Sequence, residues 1–395
     1  MRERFTRRQV LAAASVVLAR PAPAAPTAPV AVARCRTYEP AVLTATLARM
    51  FDRIGGLGRI VRGKTVAVKI NLTGNATTRL GRHPVEVTTW THPAVIVAAL
   101  HLMDKAGARR IRLLESAIST ADPLEEFMLE AGWDPGEYLR AAGRVEFENT
   151  NWLGYGKRYH RFPVPKGGLL FPAYDLNHSY ADCDAFVSIA KLKEHSTAGI
   201  TLSMKNLFGI TPATIYGTFA GESEPSLVPR GGRGEVVHWG QRPPSKSAPQ
   251  EKDPNSPRQG GYRVPRAVAD LAAARPIDLA IIDGITSQAV GETAGSRNAF
   301  LVEPGLLAAG TNAVATDAVG AALMGFDPMA DRGRAPFEHC DSTLRLAEDL
   351  GVGTRDLKRI EVIGEPIQRI AFDFRAARAA RGIPPPVPPE QRRRG

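Results

Sequence analysis

The densest run of reactive side chains in this sequence is Ala190-Lys191-Leu192-Lys193-Glu194-His195-Ser196-Thr197-Ala198-Gly199, continued by Ser203-Met204-Lys205-Asn206. It follows the apolar stretch AFVSI, so Lys191, Lys193 and His195 are predicted to leave a strand at its carboxyl end, alternating onto one side while the backbone stays extended. A helix is expected from Gly199 to Leu207, with Lys205 and Asn206 about two turns along it. Ammonium groups and an imidazole converging beside a helix amino terminus suit a carboxylate or phosphate. Charge runs are ordinarily solvated surface, but Thr197, Gly199 and Ser203 fit a tight polar turn. Lys191, Lys193 and Lys205 are thus candidates for holding an anion, with Lys193 near the chemistry and His195 as the group that transfers a proton.

A second cluster, Lys69-Ile70-Asn71-Leu72-Thr73-Gly74-Asn75, closes an earlier apolar run. Lys69 lies within that run, where an unpaired ammonium is costly, so it must meet a carboxylate or a ligand. Asn71 and Asn206 add amides to the binding set, although asparagines also serve simply as turn residues. His92 stands before Pro93 at the start of a helix, as a cap or as a ligand-facing imidazole. The carboxylates are Glu115 after RIRLL, Asp283 after DLAII, and Asp317 inside the apolar segment NAVATDAVGAALMG. A lone acid in so apolar a helix calls for a cationic partner, with Lys69 or Lys205 the candidates, and Asp317 would orient or tune that lysine. His195, His92, Glu115 and Asp283 are permitted metal ligands, yet no spacing fixes a metal site, so the metal is left unassigned.

These groups need a frame. Short apolar runs alternate with amphipathic segments between residues 64 and 364, which predicts an α/β fold with a mostly parallel sheet flanked by helices, in one body or two lobes. Ligands of such sheets collect beyond the carboxyl ends of the strands. Predicted strands include Thr65–Ile70, Arg110–Leu114, Val145–Glu148, Ala185–Ile189, Ile277–Ile282, Gly305–Ala309 and Ile360–Ile363. Predicted helices include Pro93–Ala106, Pro265–Ala274, Asn312–Met324 and Ser342–Leu350. From Gly217 to Tyr262 the rhythm breaks into Gly, Pro, Ser and charge, either an insertion or a lid. The embedded Val236-Val237-His238-Trp239 favours the lid.

The chain has 395 residues, 44% of them hydrophobic, and a formal net charge of +11. That composition excludes a disordered polymer and permits a large core without disulfides. The charge is carried by the ends. Residues 1–24 hold five Arg and one Glu, and residues 375–395 hold six Arg and one Glu, which leaves the body, 25–374, at +2. The body therefore gives no basis for nucleic-acid binding. Residues 1–24 combine Thr6-Arg7-Arg8-Gln9-Val10-Leu11 with a short apolar run and Ala22-Pro23-Ala24, the plan of a twin-arginine signal peptide and too short for a stable membrane span. Export to the periplasm or the exterior, with the twin-arginine translocon as a transient partner, is the expectation. Cys35, Cys183 and Cys340 allow one disulfide at most and contain no C-x-x-C pair, so an iron–sulfur cluster is not expected and the cofactor is left unassigned. The Pro/Arg tail from 375 to 395 is expected to be polyproline or disordered, and 25–63 reads as a lead-in.

Five segments in this order, VKINLTG, THPAVIVAALHLMDKAGARRIRLLES, DAFVSIAKLKEHSTAGITLSMKNLFGI, IDLAIIDGI and LLAAGTNAVATDAVGAALMGFDP, resemble the bacterial and archaeal family catalogued as domain of unknown function 362. The resemblance covers residues 64–330, and 331–374 completes the same fold with a helix and a strand. It implies that Lys69, Asn71, Lys191, Lys193, His195, Lys205, Asn206, Asp283 and Asp317 match family positions. Some members carry a ferredoxin-type module, for which this chain lacks the cysteines. The chain also has Glu292-Thr293-Ala294-Gly295 where the family often has a Gly-Pro turn. Two functions fit these residues: an enzyme working on a small carboxylate or phosphate by acid/base chemistry, or a periplasmic protein that binds an anion, metal or cofactor without transforming it.

Overall fold

A computed structural model describes residues 25–118, 120–153 and 158–385, so the twin-arginine segment and the last ten residues lie outside the described residues. Eight strands form one sheet: β1 (Val30–Arg34), β2 (Thr65–Lys69), β3 (Arg110–Glu115), β4 (Val145–Asn149), β5 (Ala185–Lys191), β6 (Leu279–Gly284), β7 (Leu306–Gly310) and β8 (Val362–Gly364). Their order across the sheet is β8-β1-β7-β6-β5-β2-β3-β4. Only β7 runs against the others, pairing antiparallel with β1 and β6. The expected α/β architecture with a mostly parallel sheet is what forms. It is one sheet rather than two lobes, because β5 and β6, on either side of the long insertion in sequence, are direct parallel neighbours.

Side-chain alternation along these strands feeds two cores. Val66, Val68, Leu113 and Ile281 face one, while Ala67, Leu114 and Ile282 face the other. A strand buried on both faces reads as a continuous apolar run, which is why the central strands are visible in sequence. Helices α1 (Pro40–Arg53) and α2 (Pro93–Lys105) cover the first face. Helices α3 (Gly260–Ala274) and α4 (Ala313–Leu323) cover the second.

Several expectations need correction. Residues 25–63 are no lead-in, since Val30–Arg34 pairs with both β7 and β8. The helix expected over Gly199–Leu207 is instead a short strand, Gly199–Thr201, and a single turn, Ser203–Asn206. Gly199 takes φ +75°, and an added Cβ would lie 2.6 Å from the Pro336 carbonyl oxygen, so this residue turns the chain where a helix cannot start. Helix α3 begins at Gly260, five residues before Pro265, which is accommodated inside it. The tail is ordered further than expected: Phe374–Ala379 is helical, with Phe374 and Arg378 buried. Cys35, Cys183 and Cys340 are unpaired thiols.

Candidate functional site

Because β2, β3 and β5 are parallel neighbours, their carboxyl ends place Lys69, Glu115 and the Lys193–His195 segment on one rim of the sheet. A cavity of about 250 Å³ opens there. Its wall combines Asn71, Lys193, His195, Thr201, Lys205 and Asn206 with Arg233 and His238 from the long insertion and Glu292 from the loop after β6. Wider depressions of about 530 and 860 Å³ lie elsewhere, but they lack such a convergence of polar groups. The site is therefore at the strand ends, as the sheet topology requires.

Lys69 is held rather than free. Its Nζ lies 2.7 Å from Glu115 Oε1 and donates to the Ile70 carbonyl and to Asn206 Oδ1 at 3.1 Å. Glu115 also accepts the Leu72 N–H at 2.8 Å and the Ser116 N–H at 2.9 Å. Burial pulls the Lys69 ammonium below the usual range, and the Glu115 carboxylate opposes that shift. Gly209 leaves the space: a Cβ there would sit 2.9 Å from Lys69 Nζ. Asn206 closes the frame by donating to the Ser188 hydroxyl at 3.0 Å and the Lys69 carbonyl at 3.3 Å.

Lys193 is also tied down, donating to the Thr89 carbonyl at 2.7 Å and the Glu292 carbonyl at 2.8 Å. Burial lowers its ammonium to about 7, against the pull of Glu292. The Glu292 carboxylate accepts the Ser196 N–H at 3.1 Å and its hydroxyl at 3.2 Å, which fixes the turn beyond His195. His195 Nδ1 accepts the Thr197 N–H at 3.1 Å, so the neutral ring carries its proton on Nε2. Burial, reinforced by Lys205, His238 and Lys193, keeps this imidazole neutral, well below the ordinary range. Neutral His195 is a donor at the cavity wall.

Polar groups in the wall that lack a hydrogen-bond partner among the described residues include Lys205 Nζ, Asn71 Nδ2, Thr201 Oγ1 and His238 Nδ1. Lys205 Nζ makes no hydrogen bond or ion pair there and lies 4.4 Å over the Phe208 ring. Burial lowers its ammonium to about 8, opposed by Glu292 and assisted by Lys69 and Arg233. Asn71 is 1% exposed; its Oδ1 accepts from Thr73, yet its Nδ2 is buried without an acceptor. Thr201 Oγ1 is likewise buried and unpartnered. Buried donors without acceptors are uncommon, and Asn71 Nδ2 and Thr201 Oγ1, with the half-buried Lys205 Nζ in the same wall, mark space for an acceptor-rich ligand.

Four candidates, Lys191, Asp283, His92 and Asp317, fall outside this cavity. Lys191 does not converge with the other lysines. It is sealed in a separate cluster, 2.9 Å from Asp283 Oδ2 and bonded to Tyr38 Oη at 3.2 Å and the Glu86 carbonyl at 2.9 Å. Lys191 is the last paired residue of β5, opposite Asp283, whereas Lys193 and His195 belong to a separate hairpin beyond it. His92 belongs to the same cluster: it stacks on Tyr38 at 3.6 Å, its N–H donates to Asp283, and its Nδ1 caps α2 by accepting the Ala94 N–H. Among the described residues, Asp317 has no lysine partner. It accepts the Ser203 N–H and hydroxyl and the Met204 N–H, which anchors the turn carrying Lys205, and burial raises its carboxyl to about 7. Among the described residues, no group of three His, Cys, Asp or Glu side chains is placed to hold a metal ion.

Sequence reasoning missed Thr201, Arg233, His238 and Glu292. Arg233 donates to the Ser116 carbonyl and to Asn151, which binds the insertion to the cavity rim. The Val236-Val237-His238-Trp239 segment was the available signal, since Val236 and Val237 are buried beneath that rim.

The chain belongs to the family described as domain of unknown function, DUF362, whose profile matches residues 66–322. A thylakoid-associated protein of Synechocystis sp. is 26% identical over 301 residues, which span 76% of this chain and 75% of that protein. Among solved structures, a Thermotoga maritima protein aligns with 68% of this chain at TM-score 0.33 and 15% identity, covering 55% of its own length. The lactate racemase apoprotein of Thermoanaerobacterium thermosaccharolyticum aligns with 70% of the chain at TM-score 0.33 and 14% identity, covering 54% of its own length. The chain thus spans little more than half of either solved chain. No helix among the described residues is long and apolar enough to cross a membrane.

Proposed function

We propose that the chain is an enzyme that binds a small carboxylate or phosphate anion in the cavity between β2, β3 and the Lys193–His195 hairpin and acts on it by acid/base chemistry. The observation that carries this reading is the set of unpartnered donors, Lys205 Nζ, Asn71 Nδ2 and Thr201 Oγ1, in one wall. An anion entering there meets acceptor-starved groups and the positive charge of Lys69 and Arg233. His195 presents Nε2–H to a ligand oxygen and polarises it as a neutral donor. Two amines whose ordinary range is lowered to about 7 and about 8 supply groups able to exchange protons near neutrality.

Titration calorimetry of the folded chain with inorganic phosphate and with short carboxylic acids tests the binding half. Saturable binding that weakens at least about tenfold in Lys205→Met supports the reading. Equal affinity in the two proteins would refute it. The reading also places the protein outside the cytoplasm through residues 1–24. Replacing both Arg7 and Arg8 with Lys should leave the protein in the cytoplasmic fraction, whereas unchanged periplasmic recovery would remove the twin-arginine route.

A further inference from the structure

Lys205 differs from the other cavity cations in having nothing to do structurally. Lys69 holds Glu115 and Asn206, Lys193 holds two carbonyls, and Arg233 holds Ser116 and Asn151. Lys205 stands over the apolar face of Phe208, on a turn pinned from behind by Asp317. From the geometry we infer that Lys205 is a nucleophile that forms an imine with a short oxo acid, a molecule carrying a carbonyl close to a carboxylate. The inference rests on the anion-binding reading and deepens it, by naming the substrate class and the bond that forms.

The cavity supplies each requirement of that bond. A volume of about 250 Å³ accommodates a molecule of a few carbons. Its carboxylate takes the unpartnered Asn71 amide and Thr201 hydroxyl, which leaves the carbonyl carbon for Lys205 and the carbonyl oxygen for His195 Nε2–H. The lone pair of the uncharged amine adds to the carbonyl carbon as the C=O π pair moves to oxygen. Proton transfer from nitrogen to that oxygen and loss of water then give the C=N bond, so that one amine and one carbonyl become one imine and one water. The groups facing Lys205 favour the uncharged amine it needs: burial, Lys69 and Arg233 act in one direction and Glu292 in the other. An amine desolvated beside other cations is a recognised way of activating lysine. The imine, once protonated, withdraws electrons from the adjacent carbon and eases loss of a proton or carboxyl group there.

The test uses the whole folded chain, pyruvate as the oxo acid, and sodium cyanoborohydride to trap the imine as a stable secondary amine, followed by peptide mass mapping. The expected result is an adduct on Lys205 forming at least about tenfold faster than on the exposed Lys246, and suppressed by inorganic phosphate. Labelling spread over surface lysines with no enrichment at Lys205 would overturn the inference. Because the mapping is made on the unaltered protein, misfolding of a variant cannot produce that negative. Phosphate calorimetry on the same sample separates the two readings: retained binding with no Lys205 adduct sinks the imine alone, and absent binding sinks the anion site as well.

Discussion

At the scale of single residues, the decisive contrast is between the buried Lys69 and the half-buried Lys205. Lys69 is satisfied by Glu115 at 2.7 Å, whereas Lys205 has no hydrogen-bond or ion-pair partner among the described residues. Lys69→Met leaves a buried carboxylate uncompensated and should cost about 3–5 kcal/mol of unfolding free energy. Lys205→Met removes a desolvated, unpaired cation and should leave the thermal midpoint unchanged or raise it while abolishing anion binding, a trade of stability for function. Thermal unfolding of the two variants side by side checks this, and equal destabilisation would contradict it. His195 offers a second contrast. As a neutral donor at Nε2 it is mimicked by Gln and not by Phe, so His195→Gln should keep phosphate affinity within about tenfold and His195→Phe should lose more. Equal losses would assign the imidazole another task.

At the scale of elements, the site depends on short connections that the sequence displays poorly. The central strands and the Pro-initiated helix α2 are legible because burial on both faces leaves continuous apolar runs and Pro marks a helix start. The hairpin Lys193–His195 with Gly199–Thr201 is not legible, because three-residue strands leave too few side chains to show a period. The surroundings of Lys191 and Asp317 are not legible for a different reason. Their partners, Asp283 and the Ser203–Met204 backbone, lie 92 and more than 100 residues away and are matched only by folding. Gly209 shows the same dependence on three-dimensional closeness. Its missing Cβ gives room to the Lys69–Glu115 pair, so Gly209→Ala should lower stability by roughly 1–3 kcal/mol and weaken anion binding, as measured by denaturant unfolding and calorimetry. A silent substitution would show that the pair has slack.

At the scale of the whole molecule, pH should act through histidines buried as neutral rings. Burial holds His92 and His238 at about 4, below the ordinary 6.5 of the unfolded chain. The unfolded state therefore binds more protons between those values. Stability should rise with pH across the window from about 4 to 6.5 and be lost on acidification through it. The thermal midpoint measured from pH 4 to 7 checks the slope, and His92→Asn, which keeps a capping oxygen, should make it shallower. The carboxyl-terminal region bears on the site as well. Arg378 lies 3.4 Å from the buried carboxylate of Glu194, next to His195. Truncation after Pro385 should leave the thermal midpoint unchanged, while truncation after Phe374 should lower it by leaving Glu194 unpaired. Composition alone assigned this whole tail to disorder, because Pro and Arg density says nothing of a single arginine with a buried partner.

The central claim is that the cavity at the ends of β2, β3 and β5 is an anion site. Anomalous diffraction from crystals soaked in selenate, a tetrahedral anion with its own scattering signal, tests it most directly. The expected result is a selenium peak inside the cavity with oxygens in hydrogen-bond reach of Lys205 Nζ and Asn71 Nδ2, absent from Lys205→Met crystals under the same soak. Selenium peaks confined to surface arginines and lysines, with the cavity empty of selenium, would contradict the account.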